Sequence, residues 1–185
     1  MTVGILLLAA GSSTRFGSDK RLALLPNDKS IIDNTLHQIS KTQLPVTVCL
    51  KPTDCGLQQQ LTERGISWMI NENASLGMGS SIAAGVHLCA QWDATIIALA
   101  DMPYLSSNTY VSIAKVARRG AIIIPSYRHK KGNPVCFGSR FYSQLKELNG
   151  DKGGKDIVLT NQQSVIELEL EDKGILKDID KPTDL

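Results

Sequence analysis

Paired cysteines, basic tracts and long apolar stretches are all scarce in this chain of 185 residues. The four cysteines, Cys49, Cys55, Cys89 and Cys136, include no CxxC spacing, which excludes a zinc ribbon and a thioredoxin-type redox motif. Cys49 and Cys89 sit in apolar patterns and read as small core residues, whereas Cys55 reads as an exposed thiol in a loop. Four reduced thiols suit a cytoplasmic protein. The three histidines are far apart, and none belongs to an HExxH arrangement. Net charge is only +2, too little to suggest a nucleic-acid duplex or an anionic membrane as partner. The apolar run from Ile5 to Ala10 is too short to span a bilayer, and no basic segment precedes it, as a signal peptide would require. Repeats, low-complexity tracts and linkers are missing too, so residues 1–185 read as one domain.

What the chain does have is a regular alternation. Apolar residues make up 42% and charged residues 21%, which is enough to fill a core. Val3 to Ala9 is continuously apolar, as a strand buried on both faces must be. Further strands are expected at Val46–Leu50, Ile66–Ile70, Thr95–Leu99, Ala121–Ile124 and Val135–Phe137, with a one-sided strand at Ser164–Leu170. Helical spacing marks Ile31–Ile39, Leu57–Arg64, Ser81–Gln91, Phe141–Leu148 and Lys155–Thr160. Another helix is expected from the Ser106-Ser107-Asn108 start to Arg118, with Gly120 ending it. Strand–helix alternation over about the first 125 residues predicts a three-layer α/β fold with a mainly parallel, mixed central sheet. Ligands in such folds lie beyond the carboxyl ends of the strands, so the loops after Ala9, Ile70, Ala100 and Ile124 are the ones to examine.

The loop after the first strand, from Leu8 to Lys20, is the richest. Gly11 is expected to let the backbone turn tightly and aim successive amides at an anion. Ser12, Ser13 and Thr14 add hydroxyls, and Arg15 and Lys20 add charge, which together suit a polyphosphate. It is not a Walker loop, since five residues separate Gly11 from Gly17 and Arg21 follows Lys20. It is not GxGxxG either, because position 13 is Ser. Asp101 stands where a buried strand meets a Met-Pro turn. A charge there is costly unless paired or bound to a cation, although a turn or cap role is also open. Gly77-Met78-Gly79-Ser80-Ser81 opens a helix whose amides suit an anion, with Ser80 or Ser81 alternatively its N-cap. Asn71 and Asn73 can read a base edge or close a turn.

Six elements in order carry a family resemblance. They are LAAGSSTRFGSDK from Leu8, Asn73 to Ile82 with its GMGSS core, Leu99-Ala100-Asp101-Met102-Pro103, Gly132-Asn133-Pro134-Val135, Gly150 to Lys155, and Asp178 to Leu185. In this the chain resembles the MobA-like nucleotidyltransferases, and among them most the molybdenum cofactor cytidylyltransferases. The resemblance implies a Rossmann-like fold of the nucleotide-diphospho-sugar-transferase type. It implies a nucleotide-binding half at about 1–125 and an acceptor-binding and closing half at about 126–185. It further implies Mg²⁺-dependent transfer of CMP from CTP to the terminal phosphate of a molybdopterin-type cofactor, with release of pyrophosphate. GTP, a sugar or polyol phosphate, and a non-catalytic cofactor-handling role are the alternatives.

Carried over residue by residue, the resemblance makes Arg15, Lys20 and Asp101 catalytic. Leu8, Ala9, Ala10, Gly11, Ser12, Ser13, Arg15, Lys20, Asn71, Gly77, Gly79, Ser80 and Ser81 would hold the nucleotide, and Asp101 and Asp180 the metal. Asn133, Pro134, Asp151, Lys152 and Lys155 would meet the acceptor. Here the sequence departs from the family, with Asn133 for a usual His, Lys155 for Arg, and Lys181 and Thr183 for Thr and Glu. The implied protein is a monomer that contacts a recipient molybdoenzyme transiently. Ala10 stands where the resembling guanylyltransferases typically carry Gly, and its methyl group should favour a pyrimidine. Arg15 and Lys20 are both expected on a solvent-facing loop, each dispensable for stability.

Overall fold

The computed structural model describes residues 1–13 and 16–185. Strand β1 (Val3–Leu8) is buried at every position because its side chains alternate between two cores. Ile5, Leu7 and Ala9 enter one core, while Leu6, Leu8 and Ala10 enter the other. That explains an apolar run without alternation. β2 (Val46–Leu50) and β4 (Ala94–Leu99) flank β1 in parallel, and β3 (Ser67–Ile70) extends the sheet beyond β2.

The second half of the sheet runs differently. β7 (Val135–Gly138) pairs antiparallel with β4 and with β5 (Ile122–Tyr127), so it is inserted between them. β6 (Lys130–Lys131) forms a hairpin with β5, and β8 (Val165–Glu169) adds to β5 in parallel. Among the described residues the sheet has eight strands, in the order β3-β2-β1-β4-β7-β5-β6 with β8 on β5. The mainly parallel, mixed α/β sheet expected from the sequence is present.

Helices cover both faces. α1 (Ile31–Ser40), α2 (Cys55–Glu63) and α4 (Ser107–Val116) bring Ile32, Leu36, Leu57, Leu61, Tyr110 and Ile113 to the first core. α3 (Met78–Val86), α5 (Tyr142–Lys146) and α6 (Lys155–Thr160) bring Ile82, Val86, Leu145 and Ile157 to the second. Each fully buried aliphatic side chain contributes about 1.5–3 kcal/mol of transfer free energy, so the two cores hold the layers together. Ser30 caps α1 by accepting the Asp33 amide, and Ser106 caps α4 by accepting that of Asn108.

Several boundaries differ from those read in the sequence. α3 starts at Met78, three residues before the expected Ser81, with Gly77 as its N-cap and no side chain capping it. Ser80 and Ser81 therefore lie inside the helix and do not cap it. α4 ends at Val116, ahead of Gly120, and a 3-10 turn at Ser139–Phe141 takes up the start of the expected Phe141–Leu148 helix. β5 continues through Pro125 to Tyr127, past the expected end at Ile124, with both partners β6 and β8 along its last residues. Cys49, Cys89 and Cys136 are buried and free, and Cys55 is exposed, although it opens α2 and is not in a loop. Among the described residues no helix is long and apolar enough to cross a membrane.

Candidate active site

Three chain segments converge at the carboxyl ends of β1 and β4. The first is the loop leaving β1. Gly11 is not its tight point: an added Cβ there would meet nothing within 4 Å, and among the described residues of the loop the left-handed positions are Ser13 (φ 52°) and Gly17 (φ 81°). The lack of a side chain at Gly11 leaves room in a cleft, and the turn itself is made elsewhere. Arg15 lies outside the described residues. Lys20 opens a 3-10 turn (Lys20–Leu22) whose cap, Asp19, accepts the Arg21 amide.

The second segment follows β4. Ala100 donates to the Leu8 carbonyl, in continuation of the parallel pairing. From α1, Thr35 Oγ1 donates to the Ala100 carbonyl at 3.1 Å and Asn34 Nδ2 to that of Pro103 at 2.7 Å, which brackets Asp101 on both sides. The third segment is the closing stretch, pinned by the Ile179 amide donating to the Asp101 carbonyl at 2.9 Å.

Lys20 joins all three. Its Nζ donates to Asp101 Oδ2 at 2.7 Å, to the Ile179 carbonyl at 2.8 Å and to Asp180 Oδ1 at 3.1 Å. The Lys20 side chain is only 14% exposed, so it does not face solvent as the sequence suggested. Burial acts to lower its pKa, but the bonds to Asp101 and Asp180 outweigh that and raise it, keeping the ammonium charged. Burial also dominates at Asp101, holding its carboxyl above the usual carboxylate range against the opposing pull of Lys20. The other oxygen, Asp101 Oδ1, is buried and has no hydrogen-bond partner among the described residues. A shielded carboxylate oxygen with nothing bound to it suits a cation. Among the described residues no three His, Cys, Asp or Glu side chains are placed to hold a metal. A cation here would take Asp101 and Asp180 and complete its shell with water and substrate oxygens, the usual habit of Mg²⁺.

One residue of the site gave no signal in the sequence. Arg21 is buried and donates to both oxygens of Asp54 at 2.6 Å, to Asp19 and to the Ala9 carbonyl. Its fork ties the loop after β1 to the start of α2, and these bonds raise its pKa against the opposing effect of burial. Asp54 is far from Arg21 in the chain, so no local spacing announces the pair.

The glycine-rich segment meets the Gly150–Lys155 loop. At Gly77 (φ 100°) a Cβ would fall 2.2 Å from Asp151 Oδ1 and 2.6 Å from the Gly150 backbone. At Gly79 it would fall 2.6 Å from the Asn149 carbonyl oxygen. The Gly79 amide donates to the Gly150 carbonyl at 2.7 Å, so it is spent on the loop and not presented to an anion. The Asn71 side chain is likewise committed. It donates to Ser80 Oγ at 3.0 Å and Ser81 Oγ at 3.1 Å and accepts from the Asn73 amide. Of the two uses open to Asn71 in the sequence, closing the turn is the one the geometry shows.

Two cavities result, each of about 470 Å³. One runs along Leu8, Ala10, Gly11, Ser12, Ser81 and Asp101. The other has an apolar floor of Ile97, Ile124 and Phe137 under a rim of Asn133, Lys152 and Lys155. Leu99 and Met78 line both. Asp151, grouped with the acceptor residues on the sequence, lines the first cavity, and Pro134 is buried behind Asn133. Lys20, Asp101 and Asp180 face a common space with Gly11 and Ser13 next to the first cavity.

The chain is similar over most of its length to several known proteins. The model of the MobA-like NTP transferase domain matches residues 5–165. The purine catabolism protein PucB of Bacillus subtilis (strain 168) is 27% identical over 186 residues, spanning 95% of this chain and 90% of PucB. The crystal structure of Rv0371c from Mycobacterium tuberculosis H37Rv superimposes with a TM-score of 0.88 at 22% identity, over 100% of this chain and 95% of that one. Its complex with manganese gives 0.78 at 21% identity, over 92% and 89%.

Proposed function

Because the chain belongs to the family of MobA-like NTP transferase domains, we propose that it moves CMP from CTP to the terminal phosphate of a molybdopterin-type acceptor and releases pyrophosphate. The observation that carries this reading is the charged cluster of Lys20, Asp101 and Asp180 beside a cavity lined by the β1 loop. A second, lysine-rimmed apolar cavity meets the first at Met78. A donor and an acceptor need two adjoining sites with the charge-handling groups near their junction.

The chemistry asks little covalent work of the protein. An oxygen of the acceptor's phosphate attacks the α-phosphorus of the nucleotide in line. The bond from that phosphorus to the bridging oxygen breaks, and pyrophosphate departs with the electron pair. Catalysis is then a matter of alignment and charge neutralisation. Lys20, fixed at its base by the capped 3-10 turn, presents an ammonium that stays charged at neutral pH to the phosphates. Arg15 is assigned to the departing phosphates.

The orphaned Asp101 Oδ1 and the neighbouring Asp180 fit a divalent cation, for which we propose Mg²⁺, and the manganese complex of Rv0371c supports a site of this kind. When bound, such an ion neutralises charge on the attacked phosphate and on the leaving group. Asp180 lies beyond the span matched by the family model, so its assignment rests on its shared bond to Lys20.

On the acceptor side, Ile97, Ile124 and Phe137 line the cavity with apolar surface suited to a ring system, and Lys152 and Lys155 in the same lining suit a phosphate. Ala10 is buried and lines the nucleotide cavity, so its methyl group narrows the space a purine would need. The deciding experiment incubates the protein with Mg²⁺, each nucleoside triphosphate in turn, and molybdopterin-type cofactor. Pyrophosphate and the cytidylylated product are expected with CTP. Equal turnover with GTP would remove the cytidylyl assignment, and binding without any pyrophosphate would reduce the protein to a carrier.

A further inference from the structure

Lys20 occupies the very place where a cation is wanted. Its ammonium lies between the Asp101 and Asp180 carboxylates, 2.7 and 3.1 Å away, with the Ile179 carbonyl completing an oxygen cage at 2.8 Å. Three oxygens around one positive centre is the donor set that a hard metal ion would also choose. We propose that Lys20 is an internal stand-in for the metal. It keeps the two carboxylates together before substrate arrives and opposes entry of a divalent ion that comes without nucleotide. The inference rests on the assignment of Asp101 and Asp180 as metal ligands.

The electrostatics follow from counting charge. Two carboxylates and one ammonium sum to −1, so the cluster is nearly satisfied without a metal. A divalent ion added beside the ammonium would place three positive charges against two negative ones, in a site where Lys20 and Asp101 are largely screened from water. Like charges held this close repel strongly where solvent screening is weak. An incoming triphosphate changes the balance, because it brings several negative charges and offers the ammonium another partner. Lys20 then has a reason to turn from the carboxylates toward the phosphates, and the carboxylates are released to the metal.

Two features make such an exchange mechanically possible. The backbone of Lys20 is anchored independently of its Nζ, by the Asp19-capped turn and by the Lys20 amide donating to Ser13 Oγ at 3.4 Å. The flexible four-carbon stem can therefore swing without unravelling the turn. Asp101 also keeps its place when the lysine leaves, because the Asp101 carbonyl is held by the Ile179 amide and the flanking carbonyls by α1. The exchange moves one side chain between two sets of oxygens. It makes metal and nucleotide bind cooperatively, with the metal last or together with the nucleotide.

The test reads metal binding directly, with no turnover. Mn²⁺ is titrated into nucleotide-free protein and followed by the loss of the free-ion electron paramagnetic resonance signal, for the wild type, Lys20→Met and Asp101→Asn. Lys20→Met should bind Mn²⁺ about tenfold or more tightly than the wild type, within the roughly 5–150-fold range of ordinary coupling between sites. Asp101→Asn should lose the site. Lys20→Gln serves as a second charge-removing variant should Lys20→Met fail to melt cooperatively. Equal Mn²⁺ affinity in wild type and Lys20→Met would overturn the stand-in role while leaving the metal site intact. It would mean that lysine and metal share Asp101 side by side. Absence of specific Mn²⁺ binding in every protein, with CTP present as well, would overturn the metal assignment itself and the stand-in role with it.

Discussion

The two halves of the sheet treat their charges in opposite ways. On the β3-β2-β1-β4 side, the shielded cations Lys20 and Arg21 have fixed partners: Lys20 holds three oxygens, and Arg21 ties Asp19, Asp54 and Ala9. On the β7-β5-β6-β8 side, Lys152 is 78% exposed and its one ion pair, to Asp156 four residues on, sits at the surface. Such exposed pairs are worth at most about 1 kcal/mol. Under the proposed function the first side is the donor side, organised in advance as a site that stabilises developing charge has to be. The proposed acceptor side has an apolar lining with exposed lysines at its edge. On the proposed assignment, the triphosphate would meet side chains already held in place before it arrives, and the acceptor would meet exposed ones.

This contrast can be broken at its rigid end first. Asp101→Asn keeps the shape but removes the charge for the cation, and turnover should fall by about a thousandfold or more. Melting temperature should hold or rise at neutral pH. Burial raises the Asp101 pKa, so its ionisation costs stability as pH climbs past the unfolded value, and Asn is spared that cost. Pyrophosphate release and a thermal melt on one preparation check both, and a destabilised but active variant would return Asp101 to a turn role.

Lys20→Ala comes next. kcat should drop by about a hundredfold, the scale for losing one preorganised stabilising group. The cage also makes Lys20 structural, so its removal should cost roughly 1–3 kcal/mol, because it leaves buried carboxylate oxygens without their cation. Chemical denaturation measures this, and a cost below about 0.5 kcal/mol, the usual surface value, would restore the solvent-facing expectation.

The adaptable end should give smaller effects. Lys155→Ala should raise the acceptor KM several-fold, on the scale of about 1 kcal/mol for one charge-assisted contact, while leaving CTP affinity unchanged. Steady-state kinetics with each substrate varied would show it, and an equal change in both KM values would dissolve the distinction between the halves. The smallest effect is expected from Ala10→Gly, which should narrow the CTP preference over GTP by up to about tenfold in kcat/KM, or 1.4 kcal/mol. Competition between the two nucleotides reads it.

Legibility in the sequence followed the same divide. β1 and its loop could be read because burial on both faces leaves an unbroken apolar run, and because Gly, Ser and Lys cluster within a few residues of each other. The position of β7 between β4 and β5 could not be read, since antiparallel insertion is a long-range choice that leaves the four residues Val135–Gly138 looking like any short strand. Gly77 and Gly79 read in the sequence as an anion loop, but what they admit is the close approach of the Asn149–Asp151 segment. Two glycines announce a need for space without naming what fills it. The role of Arg21 is not legible in the sequence, because only the fold brings Asp54 to it.

The clasp made by Lys20 also bears on how the molecule comes together. Its bonds to Ile179 and Asp180 join positions 159 and 160 residues apart, whereas the pairing of β1 with β2 joins segments that are neighbours in the sheet-building order. Contacts of such long separation form late, because the loop they close is costly until intervening structure has shortened it. The nucleotide cradle should therefore assemble in a refolding chain before the charges that give it chemistry, and a late kinetic phase should carry the arrival of the closing segment. Activity would then lag behind recovery of secondary structure, and the interval between the two would time the closing of the clasp.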